Sequence, residues 1–314
     1  MLSKIIRKFL ENLSFFYLNN MNEIEFKDKE ITKLIKKKLV TDYNSEKNLK
    51  KTHLIFNQEI FNIINEKKLK NFLRFPFIQK MFFVHNRLFI WKELKILKKD
   101  KNWKFYKKIL VEDNVGDPVR YFLYPESSGN RINHVFHLNV IVNSLNLKLK
   151  LIDNVFEFGG GYGCMARIFS KINSNINYTI FDTKLVNFIQ YYYLKLNKLN
   201  VGYDINKNYI LIDKLKKSKK KKSISNSLFI ANWSMSETPI KFRAKLILEM
   251  IKYEYILISF QENFEEINNL KYFKKLIYEL KSKYKFKLIK NKFYKGNILK
   301  KEKHYFLVGK KLKI

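Results

Sequence analysis

The sequence predicts an α/β fold: a Rossmann-like, seven-stranded, mostly parallel sheet behind an N-terminal helical region. Three observations carry that expectation. Four of the nine glycines, Gly159, Gly160, Gly161 and Gly163, fall within five residues, directly after the apolar run 155–158. A second β-prone run, 177–181, ends on Asp182, 23 positions past Gly159 and close to the ~20 at which an acid closes the second strand of a doubly wound unit. From there short apolar runs alternate with helical patterns, as they do where parallel strands are joined by helical crossovers.

Each element follows in order. Over 1–110 apolar residues recur at helical spacing, as at Ile31, Leu34, Ile35 and Leu39 or Phe61, Ile64 and Leu69, with Pro76 the one punctuating residue between 4 and 108. This part reads as a helical region, and 111–314 as the sheet domain. The segment 111–133 gathers Gly116, Pro118, Pro125, Ser127, Ser128 and Gly129 and reads as loop. A helix is expected over 134–142, then strand 155–158, a helix from Cys164, strand 177–181, a helix over 185–199 and strand 209–212. Strand 227–232 leads into the polar turn 233–239 and a helix over 240–251. Strand 255–260, a helix over 264–281, and strands 286–289 and 304–308 complete the chain. The last two have no full helix between them, so they should pair antiparallel.

Composition narrows the class. At 46% hydrophobic and 16% aromatic, 314 residues suffice for a packed core. No run of about 18 apolar residues exists, so no membrane span is expected. Glu11 and Asn12 interrupt the stretch a signal peptide would need, which predicts a cytoplasmic protein. The single cysteine, Cys164, excludes an internal disulfide framework and reads as a small packed residue. The formal charge of +35 invites a nucleic-acid partner. Yet only seven of the 63 cationic residues are arginine and the lysines are spread over almost every segment, which reads as compositional drift. The dense run at 214–222 reads as a solvated loop.

A buried strand that ends in glycines and enters a helix lets a ligand approach the backbone and meet unpaired helix N–H groups. Glu157, Gly159, Gly161 and Gly163 fill every place of the E-x-G-x-G-x-G loop of class I S-adenosylmethionine-dependent methyltransferases, which the segment resembles. A dinucleotide site would want G-x-G-x-x-G or G-x-G-x-x-A, and Cys164 stands at that last place. Asp182 is open to two roles, acceptor for ribose hydroxyls and N-cap of the following helix. Asn232 and Trp233, at the end of the fourth strand, are expected at the same cofactor.

Further segments extend the resemblance: Val111-Glu112-Asp113 with Gly116 and Pro118, Ser128 to His134, and Trp233-Ser234-Met235-Ser236-Glu237. Together with the glycine loop, over about 110–270, the chain is similar to a family of sugar O-methyltransferases from polysaccharide and glycosylated natural-product gene clusters. The resemblance implies methyl transfer from S-adenosylmethionine to a hydroxyl of a sugar, nucleotide-sugar or glycan acceptor.

Such a hydroxyl must lose its proton as the methyl group arrives, to a histidine, a carboxylate or a metal-bound base. Glu237 leads as the base, with a Ser234–Glu237 capping pair as its structural alternative. His134 and His137 lie one helical turn apart, open to core packing, to a base, or to a metal pair, although no full ligand set points to a divalent metal. Asp113 is a further candidate acid, beside Glu112. Arg131, Arg243, Ser234 and His137 are candidates for holding the acceptor. Tyr191, Tyr192 and Tyr193 read as core and surface of one helix rather than as a stacking platform. The competing class, a methylase of RNA or other nucleic acid, would use the basic surface, but the turn after the fourth strand lacks the Asp-Pro-Pro-Tyr or Asn-Pro-Pro-Tyr pattern of base-amine methylases.

Overall fold

The computed structural model describes residues 31, 33, 58–63, 69–82, 84, 87–215, 224–293 and 303–312. Most of the helical pattern read at 31–39 lies outside them, as does part of that at 61–69 and all but the first two residues of the lysine run at 214–222.

One sheet organises the molecule. Its strands are β1 (Asn154–Phe158), β2 (Asn177–Phe181), β3 (Val201–Gly202), β4 (Tyr209–Ile212), β5 (Ile224–Asn232), β6 (Tyr253–Gln261), β7 (Tyr284–Asn291) and β8 (His304–Lys311). They lie in the order β7-β8-β6-β5-β1-β2-β4-β3, a Rossmann-like arrangement. The first six run parallel to one another. β8 is antiparallel to both β6 and β7, as the missing crossover helix requires. Eight strands stand where seven were expected, because β3 is two residues long and too short to show any alternation in the sequence.

From residue 76 onward the α-helices are α1 (Pro76–Phe82), α2 (Leu88–Lys99), α3 (Trp103–Leu110), α4 (Gly129–Leu145), α5 (Cys164–Ile172), α6 (Lys184–Leu196), α7 (Ile240–Met250) and α8 (Asn269–Leu280). Two start elsewhere than the periodicity suggests. α4 begins five residues before 134, because the Ser128 hydroxyl accepts the Arg131 N–H at 3.1 Å and caps it there. α8 begins at Asn269, where the Asn268 side chain accepts the Lys271 N–H at 2.8 Å. The residues before it, Asn263–Phe264 and Ile267–Asn268, pair as a tight antiparallel ribbon whose turn holds Glu265 at φ 47°. Their apolar spacing imitates a helix. The loop-rich segment likewise contains a ribbon, Arg120–Tyr121 against Tyr124–Ser128.

Alternation along the strands divides the core into two layers. Val155, Ile180, Leu228 and Ile230 pack with Ile132, Val135, Met165, Ile168, Val186 and Ile189 of α4, α5 and α6. Phe156, Phe158, Phe229 and Ile258 pack with Leu246 and Met250 of α7 and Phe273 and Leu276 of α8. Helices on both faces explain why the central strands are continuously apolar. β1 sits where the order turns back, with β2 on one side and β5 on the other, so the cleft of this sheet lies beyond the carboxyl ends of β1, β2 and β5. Among the described residues no helix is long and apolar enough to cross a membrane.

The N-terminal helices join this core through a buried acid. Glu93 of α2 is fully buried, its two carboxyl oxygens 3.1 and 3.0 Å from the amide of Asn133 on α4. Burial pushes its pKa up to about 8. The folded chain therefore keeps a proton there that the unfolded chain releases above its ordinary value of 4.5, and this group costs stability as pH rises from about 5 to 8. Glu93→Gln should remove about one proton, ~1.4 kcal/mol per pH unit, from the slope of unfolding free energy across that window. Urea midpoints at pH 5, 6, 7 and 8 measure it, and an unchanged slope would refute a protonated Glu93.

Candidate active site

The glycine turn is shaped by backbone geometry that other residues avoid. Gly159, Gly161 and Gly163 adopt φ of +70°, +55° and +98°. Gly159 also has no room for a side chain: a Cβ there would lie 2.3 Å from Cβ of Ser234. At Gly161 the nearest atom would be Phe82 of α1 at 3.5 Å, so that position needs glycine for its φ and not for space. Gly159 donates its N–H to the Phe181 carbonyl at 2.9 Å, which ties the turn to the end of β2.

Asp182 follows directly and is half-buried. Its carboxylate accepts from the Thr183 N–H at 2.8 Å, from the Gln190 amide at 3.0 Å and from the Gly160 and Gly161 amides. Asp182 therefore joins the glycine turn itself. Desolvation outweighs these bonds and raises its pKa to about 7. Gln190 of α6 also donates to the Gly161 carbonyl at 3.0 Å and clamps loop and acid together, while its own Oε1 is buried without a partner. One turn earlier Asn187 is buried with both amide atoms unpartnered. Glu157 is buried, the Tyr178 hydroxyl donates to it at 2.8 Å, and burial raises its pKa to about 8.

The β5 side is built from 232–237. Trp233 takes φ 61°, ψ −33°, a strained backbone for so large a residue, held by its N–H to the Ser259 carbonyl at 2.8 Å. The Ser234 hydroxyl donates to the Phe158 carbonyl, fastening this turn to the glycine turn. It therefore makes no capping pair with Glu237, and the segment Ser234–Glu237 is a short 3₁₀ turn. Glu237 is exposed and accepts from the Gln261 amide at 3.3 Å, and partial desolvation of its carboxyl by its neighbours raises the pKa. Arg243 is fully buried and donates to the Thr238 and Ser236 carbonyls and the Asn269 side chain, each at 2.8 Å, with its guanidinium 4.7 Å from the Tyr272 ring centre. Those bonds pin the turn to the start of α8.

On the α4 side, His134, His137, Trp233 and His304 pack edge to face, at ring separations of 5.6 to 6.3 Å. Burial depresses all three imidazoles, His134 to about 3 and His137 and His304 to about 4, so they are neutral at physiological pH. Among the described residues no group of three or more His, Cys, Asp or Glu could hold a metal ion.

Asp113 and Arg131 lie in a separate buried network. Arg131 meets Glu112 and Asp113 at 2.8 Å each, and Asp113 also meets Arg167 at 2.8 Å and Lys171 at 3.3 Å. Arg131, ahead of the other cations, holds the Asp113 carboxyl far below the usual range against the effect of burial. Cys164 is buried, and burial raises its thiol to about 12.

His304, Gln190, Asn187 and Gln261 went unread in the sequence. For His304 and Gln261 a signal exists: β8 is antiparallel to β6, so its first residue must face the last of β6, and His304 does pair with Gln261. For the two amides of α6 no local pattern points to the turn.

No protein-family model matches the sequence, and no curated protein does. Among solved structures the chain is similar to the methyltransferase domain of bacterial CtHen1, with TM-score 0.38 and 13% identity over 55% of this chain and 95% of that one. It is also similar to precorrin-6y C5,15-methyltransferase of Geobacter metallireducens, with TM-score 0.36 and 12% identity over 56% and 87%. A third likeness is to the ribosomal protein L11 methylase of Lactobacillus delbrueckii subsp. bulgaricus, with TM-score 0.37 and 11% identity over 56% and 78%.

Proposed function

We propose that the cleft holds S-adenosylmethionine and that the chain transfers its methyl group to a hydroxyl of a neutral sugar-like acceptor. One observation supports the cofactor above the rest: Asp182 and the glycine turn form a single hydrogen-bonded unit at the switch point of the sheet. The donor set fits the group. Ionised Asp182 can accept two ribose hydroxyls, the turn is uncrowded at Gly161, where the atom nearest a Cβ would be Phe82 at 3.5 Å, and Gln190 Oε1, Asn232 Nδ2 and both amide atoms of Asn187 are buried polar atoms that a polar ligand can satisfy. When bound, the cofactor supplies an electrophilic methyl group on a sulfonium.

The residues around the acceptor position support a neutral polyhydroxyl compound. Three uncharged imidazoles offer donors and acceptors without a fixed charge, and Trp233 is a partly open aromatic wall. The two arginines expected at the acceptor, Arg131 and Arg243, are spent on Glu112, Asp113 and backbone carbonyls, so neither supports binding of a phosphate. Glu237, exposed at the mouth beside Gln261, suits holding acceptor hydroxyls. Glu237→Gln should raise the acceptor KM about tenfold, ~1.4 kcal/mol, with cofactor affinity unchanged. Turnover slowed by about a hundredfold at constant KM would instead make it the base.

The test of the whole reading is transfer of radiolabelled methyl from S-adenosylmethionine in cell extract. Label in saccharide supports it. Label in RNA, with binding that falls steeply as salt rises, would replace it with the nucleic-acid reading.

A further inference from the structure

Hydrogen-bond partners point to the nitrogen of each clustered imidazole that carries hydrogen. Asn130 accepts the Val84 N–H on Oδ1 at 3.1 Å, so its Nδ2 faces His134. His134 Nδ1 accepts from it at 3.4 Å and the hydrogen of that ring sits on Nε2. An indole N–H can only donate, and Trp233 donates to His304 Nδ1 at 3.2 Å, so His304 also carries hydrogen on Nε2. His137 is the reverse case. Its Nδ1 lies 3.0 Å from Asn232 Oδ1, which also accepts the Ser259 hydroxyl at 3.3 Å. With the Asn232 amide in this orientation the hydrogen is on Nδ1, and Nε2 keeps its lone pair. The ring is held edge to face by Phe306 at 4.9 Å and Trp233 at 5.6 Å.

We propose that His137 Nε2 takes the proton of the acceptor hydroxyl, with Asn232 as the residue that positions its ring; this rests on the methyl-transfer reading above. Asn232 is the last residue of β5, one residue before the turn that Ser234 fastens to the glycine loop, so the imidazole stands beside the place of the methyl donor. Of the three imidazoles it is the one whose Nε2 carries a lone pair. In the step, the acceptor O–H bond breaks, the proton goes to Nε2, and the electron pair stays on oxygen. That oxygen bonds the methyl carbon as the carbon–sulfur bond of the S-adenosylmethionine donor breaks and its pair returns to sulfur. The proton then leaves His137 for water.

Long-range ¹H–¹⁵N spectra of the ¹⁵N-labelled full chain with S-adenosylhomocysteine at pH 7 test the assignment. His137, identified by the signals lost in His137→Gln, should show hydrogen on Nδ1, against Nε2 for His134 and His304. Asn232→Asp should preserve that tautomer and Asn232→Leu should lose it. In the labelled-methyl assay His137→Gln should slow transfer by about 10²-fold or more, with S-adenosylhomocysteine affinity by calorimetry within about threefold of the parent. Hydrogen on Nε2 of His137, or an unslowed His137→Gln, overturns the assignment and leaves methyl transfer standing. Failure of the parent chain to bind S-adenosylhomocysteine overturns both.

Discussion

Asp182→Ala is expected to weaken S-adenosylmethionine binding by about 10²- to 10⁴-fold. Two hydrogen bonds from ribose hydroxyls to an ionised carboxylate are worth about 1.5–3 kcal/mol each, and a methyl side chain offers neither. The same carboxylate accepts from the Gly160 and Gly161 amides, so its loss also loosens the turn. Asp182→Asn separates the two effects, since it keeps the shape and one acceptor oxygen. Its pH profile is a second signature. With a pKa raised to about 7, Asp182 is partly protonated near neutrality, and ribose donors favour the ionised form. Affinity in the parent should therefore rise as pH goes from 6 to 8 and level off above that, while Asp182→Ala should be flat. Calorimetry at three pH values checks both, and an Ala variant of parental affinity would remove the cofactor from this cleft.

Much of this site was legible because glycine spacing and strand length are local properties. Gly159, Gly161 and Gly163 announce a backbone that only glycine adopts readily, and an acid about 20 residues later is set by the length of one helix and one strand. The turn after β5 was legible as a position but not as a set of bonds. Ser234 and Glu237 have the spacing of a capping pair, yet the Phe158 carbonyl at the end of β1 takes the Ser234 hydroxyl. That choice depends on two strands meeting side by side, which no local pattern records. Gln190 and His304 are similar cases, one delivered by the roll of α6 and the other by the antiparallel entry of β8. Trp233 at φ 61° was invisible because side-chain type argues against that backbone.

Charge was the least legible property. Arg131 reads in the sequence as a fork for an acceptor carboxylate or phosphate, because arginine is scarce here and stands next to a glycine turn. In the fold its Nη2 lies 2.8 Å from both Glu112 and Asp113 and 3.2 Å from the Tyr193 hydroxyl, and its other terminal nitrogen meets the Val111 carbonyl. Arg131→Met should therefore lower the unfolding free energy by about 3–5 kcal/mol, because the side chain of Glu112 is 1% exposed and would be left buried without its cationic partner. That is a large share of the roughly 5–15 kcal/mol a domain possesses. Arg131→Met with Glu112→Gln should recover a good part of the loss, since removing both charges spares the buried carboxylate. Denaturant midpoints of the parent, both single variants and the double give the coupling. If the arginine served the acceptor instead, Arg131→Met would unfold at the parental midpoint and show its defect only in the acceptor KM.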